Sequence, residues 1–313
     1  MDRSAGASST SPRRPSRRSR RSGRAWPTSA SPGKPGLGLG AVRELCRRHG
    51  ITPRKALGQH FLVDPNLARA IAAQAGVGPG DRVVEVGAGL GSLTVALAAT
   101  GAEVLAVERD PSLLPALREV VAGAPAVRIL EADAMRLDWE RALRGRGWRM
   151  VSNLPYNVAV PLVLGMLERA PVTRFLVMVQ REVGERLVAG PGDEGYGAVS
   201  LRVAYRAEAE LLRRVPPEVF WPRPAVGSVL VRLARRRRPV RVDPGPLFRV
   251  IEAGFAERRK TLRNALRRMG LSAAAADDAL ARAGLTSRTR AEEVDLGGFA
   301  RLTEALLGAG GAA

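Results

Sequence analysis

The sequence predicts an α/β protein in which helices cover both faces of a parallel sheet, followed by a small all-helical C-terminal domain. Three observations predict it. From Asp81 to about Val188, short apolar runs alternate with helical segments, the pattern of strands joined by crossover helices. The stretch E-V-G-A-G-L-G-S-L-T follows the first of these strands and opens a helix. Beyond the basic run R-R-R-R-P at 235–239, every patterned segment has helical period.

Taken in order, residues 1–40 are Ser, Arg, Pro and Gly with almost no apolar periodicity. Such a segment buries too little surface to offset its ordering entropy, so a disordered basic tail is expected. A helix at 41–49 and the loop T-P-R-K-A-L-G-Q-H-F-L-V-D follow. Asp64 and Pro65 then read as cap and first turn of a helix at 66–75. V-V-E-V, V-L-A-V, V-R-I-L, R-M-V-S and R-F-L-V-M-V-Q read as strands. Between and after them, S-L-T-V-A-L-A-A, residues 111–121, P-L-V-L-G-M-L-E-R and R-E-V-G-E-R-L-V read as helices. Two later strands, near 198–206 and 228–233, are expected to close one edge as an antiparallel pair. Residues 41–234 thus form one domain, 235–240 a basic linker, and 241–313 a helical domain with helices at 246–256, 260–269, 273–283 and 299–307.

The 313 residues give room for a large domain, a small one and a sizeable core. A formal charge of +20 favours a polyanionic partner, nucleic acid ahead of membrane. Residues 1–40 hold eight Arg and one Lys against one Asp, a net +8, which leaves +12 for the rest. Aromatics make up only 4% of the chain, so contacts to phosphates are expected to outweigh stacking on bases. Cys46 is the single cysteine, which excludes a disulfide framework and a cysteine-built zinc site. With only His49 and His60 beside it, no metal is expected. No run approaches the roughly eighteen apolar residues of a membrane helix, and no signal-type segment opens the chain. The expected location is the cytoplasm.

Gly87, Gly89 and Gly91 let backbone approach a ligand closely at a helix N-terminus. Their GxGxG spacing departs from the GxGxxG of the dinucleotide fingerprint, which weakens an NAD reading without removing it. The carboxylate of Glu85, just before the loop, suits a ligand with an ammonium or sulfonium group better than a pyrophosphate. Glu108 closes the next strand, where a carboxylate can accept both ribose hydroxyls. Asp133 closes the third, within reach of an adenine amino group. Carboxylates at successive strand ends around a glycine loop are the pattern of S-adenosylmethionine-dependent methyltransferases.

The bend N-L-P-Y at 153–156 follows the fourth strand. An amine on a base is a weak nucleophile because its lone pair is delocalised into the ring. The Asn153 side-chain oxygen and the Leu154 carbonyl can both accept hydrogen bonds from such an amine and aim its lone pair at a methyl group. Pro155 keeps the turn rigid, and Tyr156 offers a face on which a base can stack. Reaction then rests on alignment without a strong general base.

G-Q-H-F-L, E-V-G-A-G-L-G-S-L-T, V-E-R-D, E-A-D-A-M and N-L-P-Y-N together resemble the rRNA adenine N6,N6-dimethyltransferase family, in particular its small-subunit branch. The resemblance runs from about Leu45 to Leu306. It implies a Rossmann-like methyltransferase fold with S-adenosylmethionine as cofactor. It carries cofactor contacts onto His60, Leu62, Gly87, Glu108, Asp133 and Asn153. V-P-P-E-V-F-W-P-R-P matches too, and implies Phe220 as a second wall of the adenine pocket opposite Tyr156. F-A-E-R-R-K-T-L-R-N-A-L matches the family's C-terminal domain. Within it, Phe255, Leu262, Leu266 and Met269 are expected to form one apolar stripe. Arg259, Arg263 and Arg267 are expected to form a basic ladder that, with Arg258 and Lys260, contacts RNA phosphates. Two departures stand out. His60 replaces an Asn common in the family, and P-A-V-G-S at 224–228 lacks the polar residues of P-N-V-D-S.

The implied activity is dimethylation of two adjacent adenines near the 3′ end of small-subunit (16S) rRNA, late in subunit assembly. The expected partner is that rRNA within a pre-30S particle, met by a monomer. Two alternatives stay open from sequence. One is the large-subunit (23S) branch that confers macrolide resistance; the other is a non-catalytic ribosome assembly factor.

Overall fold

The protein is described from a computed structural model, which covers residues 36–54, 57–257 and 259–310. The expected disordered tail therefore lies outside the described residues up to residue 35. From Gly36 the chain is described, and the first helix, α1, spans Leu39–Arg48. Strand β1 (Phe61–Leu62) and helix α2 (Pro65–Ala75) follow. Asp64 caps α2 as expected, its carboxylate accepting from the Asn66 and Leu67 amides at 2.8 and 3.1 Å, with Pro65 at the first helical position.

The alternating region then runs β2 (Arg82–Val86), α3 (Ser92–Ala98), β3 (Glu103–Glu108), α4 (Leu114–Val121) and β4 (Val127–Glu131). It continues with α5 (Trp139–Ala142), β5 (Trp148–Asn153), α6 (Ala159–Arg169), β6 (Val172–Gln180) and α7 (Arg181–Val188). Next come α8 (Ala198–Arg206), β7 (Ala207–Val215), β8 (Phe220–Trp221) and β9 (Ser228–Arg235); β8 pairs with β1 in a separate two-stranded sheet, while β7 and β9 complete the main one. The strand order is β4-β3-β2-β5-β6-β9-β7; β2 to β6 pair in parallel, and only β9 runs against its neighbours. The order reverses between β2 and β5. At that point an open α/β sheet leaves a crevice beyond its strand ends.

The predicted strand at 198–206 is helix α8. Val199, Leu201, Val203 and Tyr205 alternate and mimic a strand, but Leu201 and Tyr205 are buried on a helical face. The strand is the following segment, β7, which carries exposed Glu208, Glu210 and Arg214 at the edge of the sheet. Charged side chains are a usual way to blunt an edge strand, and they hid this one from its hydrophobic pattern.

Four helices follow: α9 (Pro244–Phe255), α10 (Leu262–Arg268), α11 (Ala273–Arg282) and α12 (Leu296–Gly310). Their core includes Leu247, Ile251, Leu262, Leu266 and Phe299, together with Tyr196, Leu201 and Tyr205 from around α8. The expected linker is partly built into the fold. Arg235 closes β9, and its guanidinium donates to the carbonyls of Val172, Leu167 and Ala170 at 2.9, 2.7 and 2.9 Å. It thereby occupies acceptors that the C-terminus of α6 leaves free. The Arg236 amide donates to the Arg206 carbonyl at 2.9 Å, extending the pairing of β9 by one residue. Among the described residues, no helix is long and apolar enough to cross a membrane.

Candidate active site

Parallel register sets the C-terminal ends of β2, β3, β4 and β5 along one side of the sheet. The cleft beyond them encloses about 1050 Å³, open solvent at its mouth included. His60, Leu62, Glu85, Gly87, Gly89, Glu108, Asp133, Asn153, Leu154, Pro155 and Tyr156 all line it. Phe220 does not. It is buried in β8 opposite Leu62 of β1, with its ring inside the fold. The ring stacked on Tyr156 belongs to His60, with centroids 5.3 Å apart and planes 29° from parallel.

The glycines of the loop make room for protein as well as ligand. Gly87 has φ +75°, and a Cβ there would lie 3.2 Å from Cδ of Pro155. Gly89 has φ +58°, and a Cβ would meet the Phe61 ring at 3.3 Å. Side chains at these positions would be strained by backbone conformation and crowded against both the N-L-P-Y bend and the G-Q-H-F-L segment.

Glu85 is only 1% exposed, and its Oε2 has no hydrogen-bond partner. Burial pushes its carboxyl up to about 8; the Thr94 hydroxyl pulls the other way, and the charge of Glu108 adds to the rise. An unpartnered carboxylate oxygen in a cleft fits a cationic ligand group, because ionisation there is costly until a positive charge arrives. The sulfonium and ammonium groups of S-adenosylmethionine supply such a charge.

Glu108 is held by backbone donors. Its Oε2 accepts from the Gly89 amide at 2.9 Å, and its Oε1 accepts from those of Arg109 and Asp110 at 2.8 and 2.9 Å. Burial raises its pKa, and these donors oppose the rise. The carboxylate is thus fixed at the strand end with its remaining lone pairs free for hydroxyl donors. Asp133 lies two residues past β4, its Oδ1 accepting from the Met135 amide at 2.9 Å. Asn153 Nδ2 donates to the His60 carbonyl at 3.3 Å, which orients the amide and leaves its oxygen as an acceptor. The Leu154 amide donates to the Met178 carbonyl at 3.0 Å. Tyr156 shares a 2.9 Å hydrogen bond with the Ser228 hydroxyl, and burial raises its pKa against that bond. Ser228 is the polar residue that P-A-V-G-S retains.

The predicted RNA contacts do not converge in the same way. Arg258 lies outside the described residues. Arg259 and Lys260 are exposed in the turn before α10, while Arg267 is exposed near its end. Arg263 is engaged by Asp277 of α11 through bonds of 2.7 and 2.9 Å, which hold the Asp277 carboxyl below its ordinary range. The ladder fails because α10 starts only at Leu262, so Arg259 is off the helix, and because an acid on α11 faces Arg263. The apolar stripe is also divided. Leu262 and Leu266 are buried, Phe255 ends α9, and Met269 is exposed.

Sequence reasoning passed over Gln59 and Asp110, although both sit inside quoted motifs and both line the cleft. Their signal was available only as a polar residue beside each assigned one.

Comparison with known proteins agrees with this geometry. The family model described as "Ribosomal RNA adenine dimethylase" matches residues 50–306. A protein of Moorella thermoacetica named ribosomal RNA small subunit methyltransferase A is 42% identical over 279 residues, 85% of this chain and 97% of that protein. A Thermobifida fusca protein of the same name is 47% identical over 270 residues, covering 84% and 93%. The crystal structure of a dimethyladenosine transferase from Plasmodium falciparum superposes with a TM-score of 0.70 at 22% identity, over 80% of this chain and 98% of that one, which supports the fold. The cleft at the reversal of strand order, its buried carboxylate and the family match lead to one assignment: the chain belongs to the ribosomal RNA adenine dimethylase family, whose methyl donor is S-adenosylmethionine.

Proposed function

We propose that the protein transfers methyl groups from S-adenosylmethionine to N6 of two adjacent adenosines near the 3′ end of small-subunit rRNA. The product is N6,N6-dimethyladenosine, made during late small-subunit biogenesis by a cytoplasmic monomer acting on a pre-30S particle. The observation that carries the reading is the meeting of the N-L-P-Y bend and the acidic strand ends in one cleft. Relatives named for the small subunit, at 42% and 47% identity, favour that subunit over the large one.

When bound, S-adenosylmethionine supplies an electrophilic methyl group on a cationic sulfur. Glu85, ionised by that charge, would face the cation, while Glu108 would accept from the ribose hydroxyls and Asp133 from the adenine amine. Asn153 Oδ1 and the Leu154 carbonyl accept hydrogen bonds from N6, drawing its lone pair out of the ring and towards the methyl group. Transfer to N6 would leave the carbon–sulfur electron pair on sulfur and release the surplus N6 proton to solvent. Tyr156 supports the base, and Pro155 holds the bend against Gly87. A monomethylated amine still has one N–H for these acceptors, so a second transfer can follow. The basic residues Arg259, Lys260 and Arg267, with Arg258, serve as phosphate contacts.

The test is methyl transfer from labelled cofactor to purified small and large subunits that lack these methyl groups, followed by mass mapping. Dimethyladenine confined to small-subunit rRNA is the expected result. Label in large-subunit rRNA would move the protein to the other branch. Subunit binding without transfer would make it an assembly factor.

A further inference from the structure

The segment G-Q-H-F-L crosses the cleft, and its residues from Gly58 to Leu62 all line it. It is fastened at several points. On the bend side, the His60 carbonyl accepts from Asn153 at 3.3 Å, and the His60 ring bonds the Pro222 carbonyl through Nδ1 at 2.6 Å. On the glycine-loop side, the Ser92 hydroxyl donates to the Leu62 carbonyl at 2.6 Å. Phe61 and Leu62 also pair with Trp221 and Phe220 of β8, and a further fastening is a side-chain pair with no role in the chemistry above. Gln59 Nε2 donates to Asp110 Oδ2 at 2.7 Å, while Gln59 Oε1 accepts from the Arg54 amide at 2.7 Å.

Asp110 is 3% exposed, and its other oxygen is occupied by the Ser112 hydroxyl and amide at 2.6 and 3.1 Å. Burial works to raise its pKa, but the Ser112 and Gln59 donors and the Arg54 charge outweigh that and lower it. The bond from Gln59 is therefore charge-assisted at neutral pH. The Asp110 backbone amide donates to Glu108, so one residue touches both the strap and the carboxylate assigned to ribose.

We infer that Gln59 is a positioning residue for cofactor binding: clamped between Asp110 and the Arg54 backbone, it sets the strap so that His60 and Leu62 meet the cofactor in register with Glu108. The inference rests on the reading of this cleft as the cofactor site.

The geometry offers a polarity swap as a test. Gln59→Glu places two carboxylate oxygens face to face. Asp110→Asn places two amide NH2 groups face to face, and turning Gln59 over only moves the clash to the Arg54 N–H. In the double variant the new amide at 110 donates to the new carboxylate at 59, whose second oxygen still accepts from Arg54. The Ser112 contacts are unchanged throughout.

Calorimetry of S-adenosylmethionine binding to the full chain should show each single variant weakened by about tenfold, and the double variant restored to within about threefold of the parent. Hydrogen exchange at 57–62 in the protein without cofactor should speed up in both single variants and recover in the double. Should either single variant fail to fold, Gln59→Ala removes the bond without imposing repulsion, and a severalfold loss is expected. Single variants that bind like the parent, or a double variant as weak as its two losses combined, would overturn the inference. If the parent itself binds no cofactor, the cofactor reading fails. Exchange at 57–62 then still reports on the clamp, and unchanged exchange in the single variants would refute it too.

Discussion

At the cleft, residues from segments as distant as His60, Glu85, Glu108, Asp133 and Asn153 meet in one lining. At α10, basic residues spaced within ten positions of one another separate: one is engaged by an acid, and others lie off the helix. Both groups were identified by short motifs, so the difference lies in what enforces each arrangement. A carboxylate at a strand end is placed by backbone register, because neighbouring parallel strands finish side by side whatever their side chains do. A charge on a predicted helix face depends on where the helix begins and on which acids the rest of the chain brings near it. Neither is written in the spacing.

The largest expected effect lies on the convergent side. Asn153→Ala removes the orienting bond to the His60 carbonyl and one of the acceptors assigned to N6. Single-turnover methylation should slow by about 100-fold or more, while cofactor affinity falls by no more than about tenfold. Equal losses in rate and affinity would make Asn153 a cofactor contact alone, and the alignment mechanism would lose its main residue.

Glu85 gives a smaller effect with a definite pH signature. Its carboxyl is raised from 4.5 to about 8, so the folded protein holds a proton that the unfolded chain has already lost. Its contribution therefore makes the empty protein less stable as pH rises from about 4.5 to about 8. A bound cation favours the ionised form, so cofactor binding releases this proton. Affinity should then rise by up to about tenfold per pH unit between roughly 6 and 8, one proton being the limit. Towards pH 8 the ligand's own amine begins to lose its charge, which flattens the rise. Glu85→Gln should remove the rising limb, weakening binding near pH 8 and changing it little near pH 6. A parent affinity that is flat over this range would mean that Glu85 does not face the cation.

Much of the sheet and its crevice was legible because β2 to β6 each hold a short, mostly apolar run between helical segments. The helix α8 was not legible, since V-x-L-x-V-x-Y satisfies both periods when Ser200 and Tyr205 are also buried. Phe220 was misplaced for a different reason. A motif can name an aromatic without saying that its strand will pair with β1 and turn the ring inward, leaving His60 on Tyr156. The Gln59–Asp110 clamp joins residues 51 apart in sequence, and nothing local to either announces the other.

The smallest effects should separate the arginines of the C-terminal domain. Arg259, Lys260 and Arg267 are exposed, whereas Arg263 is held by Asp277. A phosphate contact releases counterions, so each true contact contributes about 0.7–0.9 to the slope of log K against log salt. Arg259→Ala and Arg267→Ala should each reduce the slope for small-subunit binding by about that amount and leave the melting temperature nearly unchanged. Arg263→Ala should do the reverse: it keeps the slope but lowers the melting temperature, because it releases α10 from α11. Asp277→Asn sharpens the contrast, since it frees the Arg263 guanidinium without removing it. An unchanged slope in that variant would show that Arg263 faces α11 and not RNA. A steeper slope would show that Asp277 is all that keeps it from a phosphate, and that the ladder read from the sequence is present but masked.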